Sequence, residues 1–62
     1  MDKTEILSRL SKTKRAVLEM PLSLEALEAL ELLWYTYGFF GFLNNAAAIE
    51  RRIEYYKHAL QR

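Results

Sequence analysis

His58 is the only imidazole in the chain, and Glu54 and Glu50 precede it by four and eight residues. On a helix those spacings share one face. Two carboxylates and an imidazole on one face could hold a metal ion, with a two-fold partner supplying further ligands. Di-iron helical bundles use Glu-x-x-His, whereas the spacing here is Glu-x-x-x-His. An exposed helix end with ordinary charge pairing uses the same residues, so no metal and no cofactor is expected. Nucleophilic chemistry has less to draw on, because there is no Cys and no second group is placed to activate a Ser. Gly38-x-x-Gly41 is neither a phosphate-binding loop nor a dinucleotide fingerprint. The expectation is a protein that is not an enzyme.

Binding chemistry is better supplied. Arg9, Lys12, Lys14 and Arg15 form a basic stretch with no acid between them. Four cations can give salt-dependent, non-specific affinity for phosphates, and a dimer would double them. A solvated helix face is the competing use, and no helix rich in Arg, Asn or Gln follows as a reading head. Glu25, Glu28 and Glu31 make the middle of the chain acidic, and Arg51, Arg52, Lys57 and Arg62 make its end basic. Tyr55 lies one turn from Arg51 and Arg52, and exposed Tyr–Arg clusters are typical of protein-binding surfaces. Arg51, Arg52 and Tyr55 are therefore candidates for contact with a protein partner.

Six of the eight aromatic residues fall between Leu32 and Leu43. A helix covered by its own domain needs one apolar stripe, whereas this run is apolar on all sides. It spans 12 residues, with Glu28 and Glu31 before it and Asn44 and Asn45 after it. That is short of the roughly 20 residues a spanning helix requires. Three uses remain: the core of a dimer, a groove for another protein, or a shallow membrane anchor. The last lacks the dense Lys/Arg face that usually accompanies it.

The elements that carry these residues read as helices. Asp2 precedes Glu5 by three, a capping-box spacing. Ile6, Leu10, Thr13, Val17 and Met20 recur at steps of four and three, and Leu7 widens that face. Pro21 disfavours helical geometry at Met20, so the first helix is predicted to end there. Ser23 is a good N-cap for a second helix. Leu22 and Leu27 stand at the positions of a hydrophobic staple. Leu27, Leu30, Trp34 and Tyr37 form the second stripe. Phe39, Phe42, Ala46, Ile49, Ile53, Tyr56 and Leu60 form a heptad-like seam. The stripe changes phase between Tyr37 and Phe39, with Gly38 at the change. A turn near Gly38 to Gly41 is favoured over one long bent helix from Leu24 to about Gln61.

The chain is one helical domain of 62 residues, 52% hydrophobic and 27% charged, with a net charge of +1. A domain of this size buries only about 60% of its unfolded surface. Small scaffolds compensate with disulfides, a metal or oligomerisation, and without Cys the first is excluded. No secretory signal is read at the start, so a cytoplasmic setting is the default expectation. Lys3-Thr4-Glu5-Ile6-Leu7-Ser8-Arg9-Leu10 resembles the start of the small nucleoid-associated haemolysin-modulator family, short all-helical proteins that bind a DNA-organising partner. The resemblance covers eight residues, and that family's later helix does not map onto Leu33 to Leu60. No residue role is carried over from it.

The expected architecture is all-α: a short first helix, then a helical hairpin, packed as a dimeric helical bundle. Self-association is expected through Leu27, Leu30, Trp34, Phe39, Phe42, Ile49, Ile53 and Tyr56. The expected function is that of a non-catalytic interaction protein: a regulator, adaptor or inhibitor that occupies another protein's surface. The alternative is a dimeric nucleic-acid-associated regulator using Arg9, Lys12, Lys14 and Arg15.

Overall fold

A computed structural model describes residues 2–61, so Arg62 lies outside it. The described chain forms three α-helices: α1 Lys3–Glu19, α2 Leu24–Phe39 and α3 Leu43–Leu60. Each start follows from local chemistry. The Asp2 carboxylate accepts the Glu5 backbone N–H at 2.8 Å, satisfying one of the donors a helix start leaves unpaired. The Ser23 hydroxyl does the same for the Ala26 N–H at 3.2 Å. α1 stops at Glu19, and Met20 before the proline is extended at ψ 151°. At 17 residues, α1 is not the short helix expected from the sequence.

The α2–α3 turn settles the choice between a hairpin and one long helix. Gly41 has φ +82°, a conformation that L side chains disfavour. Its N–H donates to the Gly38 carbonyl at 3.0 Å, and the Phe42 N–H donates to the Tyr37 carbonyl at 2.9 Å. This pair of bonds is a Schellman motif. Its usual apolar contact is present as well: the Tyr37 and Phe42 rings meet edge to face with centroids 6.3 Å apart. The break is therefore at Gly41, whereas the phase change in the sequence had pointed to Gly38, which stays helical. Asn44 and Asn45 enter the first turn of α3 without interrupting it.

α2 packs on both neighbours, and α1 and α3 do not pack on each other. The core consists of Val17 from α1, Ala26, Leu27, Leu30, Leu33 and Tyr37 from α2, and Ala46, Ile49, Ile53 and Tyr56 from α3. Leu7, Leu10, Leu18, Ala29 and Phe42 close its edges. Fully burying residues such as Leu30 and Ile49 contributes roughly 1.5–3 kcal/mol each. The α3 part of the predicted seam is the observed one from Phe42 to Tyr56. Five predicted stripe positions differ, one of them Leu60, which is 38% exposed near the end of α3. Leu33 takes the core place expected for Trp34, because a helix between two neighbours buries a wider arc than one stripe. Thr13 and Met20 are exposed, and the Thr13 hydroxyl bonds back to the Arg9 carbonyl at 3.1 Å. Phe39, read as the head of the seam, is the exposed last residue of α2. The step from Phe39 to Phe42 crosses a turn, so its helical spacing has no geometric meaning there.

Candidate functional site

The eight residues expected at a self-association surface divide into two groups. Leu27, Leu30, Ile49, Ile53 and Tyr56 are buried within one chain, and Phe42 packs half-buried beside them. Their stripe closes on itself within one chain. Trp34 and Phe39 are the two left on the surface.

Those two rings belong to an open groove of about 440 Å³ between α2 and α3. Its α2 wall is Trp34, Tyr35, Gly38 and Phe39, and its α3 wall is Leu43, Ala46, Ala47 and Glu50. Trp34 is 43% exposed, Tyr35 65%, Leu43 70% and Phe39 73%. Leu32, one turn before Tyr35 on α2, is 68% exposed as well. Helical spacing explains the arrangement. Leu30, Leu33 and Tyr37 take the face toward the core, and Tyr35 and Phe39, one turn apart, take the opposite one. The all-round apolar run noted in the sequence is thus the end of α2, with two apolar faces of which the chain covers one, followed by the turn into α3. Phe39 is braced by Phe40, their rings edge to face at 5.2 Å.

Gly38 lies in this groove within α2. A Cβ added there would meet nothing within 4 Å. Glycine inside a helix costs about 0.5–1 kcal/mol relative to alanine, and the packing of one chain supplies no reason for it. The groove carries one charged side chain, Glu50, at the Trp34 end, where Glu31, Glu54 and Lys57 cluster beyond it.

The partner-binding candidates do come together. Arg51, Arg52 and Tyr55 line one shallow surface on α3 with Ala48. Tyr55 is held edge to face against the buried Tyr56 at 6.0 Å. Neither arginine forms an ion pair among the described residues. On α1, Arg9 pairs with Glu5 at 3.1 Å, Lys12 and Arg15 are exposed, and Lys14 is half-buried. The basic stretch is therefore distributed around the helix. Among the described residues no group of three or more His, Asp or Glu side chains is arranged to hold a metal ion. Among the described residues no helix is long and apolar enough to cross a membrane.

The sequence reading missed Tyr35, Leu43 and the small residues Gly38 and Ala47 as groove residues. The signal was present: Tyr35 and Phe39 stand four apart opposite the core stripe. No protein-family model, no curated protein and no solved structure matches this chain. The eight-residue resemblance of Lys3 to Leu10 thus gains no support from them.

Proposed function

We propose that this chain is a small non-catalytic protein–protein interaction module that works as a homodimeric helical bundle. It acts by occupying the surface of another protein, as a regulator, adaptor or inhibitor. The exposed aromatic groove carries this reading. Three aromatic rings and Leu43 are held at a water-facing surface by a chain that already has a closed core. Contiguous apolar surface of this kind marks interaction sites. Arg51, Arg52 and Tyr55 are the surface assigned to the second protein, since Tyr and Arg dominate binding hot spots.

The test is affinity capture from the native extract with the wild-type chain and an Arg51→Glu/Arg52→Glu/Tyr55→Ala variant. A specific protein retained by the first at high salt and lost from the second is the expected result. Identical capture profiles would remove the α3 surface from the reading. The alternative, a nucleic-acid-associated regulator, is favoured by the exposure of Lys12 and Arg15 on a helix that packs on one neighbour only. Steep loss of binding with rising salt would favour it.

A further inference from the structure

The groove pairs projecting rings with open space on a single face. Trp34, Tyr35 and Phe39 stand proud on α2, while Gly38 and, across from it, Ala46 and Ala47 present no bulk. Gly38 is not explained by its own chain: it uses no left-handed conformation, and a side chain there would enter empty space. A glycine that weakens its helix yet clears a surface notch fits the close approach of another backbone.

A face that carries both rings and a notch has the self-complementarity that a two-fold interface needs, because residue i then meets j of the partner and j meets i. We propose that the occupant of this groove is the same groove of a second copy, packed about a two-fold axis that crosses between Trp34 and Phe39, over Gly38. The pairing rests on the interaction reading above and names the occupant of its groove.

The area agrees. At their observed exposures the three rings offer about 270–450 Å² per copy. A standard interface buries about 800 Å² per partner. Three side chains thus supply up to about half of it, with Leu43, Leu32 and the alanines beside them. The charges agree as well. An antiparallel crossing lays the Trp34 end of one groove over the Phe39 end of the other. The two copies of Glu50 then sit at opposite ends, apart from each other.

The experiment is sedimentation equilibrium over a dilution series, with Trp34 emission recorded on the same samples. Wild type, Gly38→Leu and Phe39→Ala are compared, and circular dichroism checks helix content. Wild type is expected at twice the 7.3 kDa chain mass when concentrated. Its Trp34 emission should shift to the red as dilution dissociates it. A Cβ at position 38 meets nothing within 4 Å in the isolated chain, and the rest of a Leu side chain there fills the groove, so Gly38→Leu should weaken pairing about 10- to 100-fold with helix content kept. Phe39→Ala, which removes a ring the isolated chain barely covers, should weaken it too and serves if Gly38→Leu misfolds.

A monomeric wild type at every concentration overturns the pairing. So does a dimer whose dissociation is the same in both variants. A monomer whose Trp34 emission moves to the blue on neutral phosphatidylcholine vesicles makes a lipid surface the occupant, and also overturns it. The two readings fail separately. A monomer that still captures its protein through Arg51, Arg52 and Tyr55 removes the pairing and the homodimer and leaves the partner-binding part of that reading standing. A groove-dependent dimer without such capture sustains the pairing and removes the α3 partner surface.

Discussion

Tyr37, the largest fully buried side chain among the described residues, carries an unmet polar group. Its ring is fully buried, and its hydroxyl has no hydrogen-bond partner among the described residues. An unsatisfied buried polar group costs about 1–3 kcal/mol. Tyr37→Phe keeps the ring contact with Phe42 and removes the hydroxyl, so urea denaturation should show stability unchanged or raised by up to that amount. A clear loss would mean that the hydroxyl is bonded in solution. Gly41 is the opposite case, a residue whose type the turn requires. Gly41→Ala places a Cβ in the left-handed region and should destabilise by about 1–2 kcal/mol, read from the same denaturation curves. Gly38→Ala, by contrast, should not destabilise the isolated chain, because Gly38 is helical and open. The two glycines are three residues apart in the sequence and do different work, which their spacing alone does not reveal.

At the level of the helix, start signals proved the most readable feature. Asp2 and Ser23 were both identifiable as N-caps because the cap is a local bond between a side chain and a backbone donor three residues on. Ser23→Ala should cost about 1 kcal/mol, measurable as a lowered denaturation midpoint with an unchanged slope. The apolar periodicity of α3 also translated directly, because α3 packs on one neighbour and buries one stripe. α2 was less legible. It lies between α1 and α3, its core arc is wide, and its outer face is apolar too, so hydropathy alone did not rank Trp34 against Leu33. This yields a paired prediction. Ile49→Ala, deep in the core, should destabilise by about 2–5 kcal/mol, whereas Phe39→Ala should leave the dilute chain's thermal midpoint nearly unchanged. A comparable loss in both would place Phe39 inside the fold rather than on its surface.

For the whole molecule, shape matters more than charge. The described backbone extends 41 × 19 × 13 Å, consistent with α2 as the only element shared by its two neighbours. An elongated chain of this size leaves long helix faces uncovered, and the groove between α2 and α3 is an apolar one. Light scattering on a sizing column at low and high salt should give the same mass if that groove drives association, since apolar burial is not weakened by added salt. The basic α1 predicts the reverse for nucleic acid. Retention should fall steeply with salt and vanish in Lys12→Glu/Lys14→Glu. Intact retention by that variant would exclude the α1 surface.

The amino-acid sequence by itself determined the helical class, both side-chain caps, the end of α1 before Pro21 and the inward face of α3. All of these are set by bonds or periodicities within a few residues. Only the tertiary structure decided that Gly41 makes the turn, that Leu33 rather than Trp34 enters the core, and that Phe39 faces water. Those outcomes depend on which of two apolar faces of α2 meets α1 and α3, and a helix apolar on both sides carries no local record of that choice.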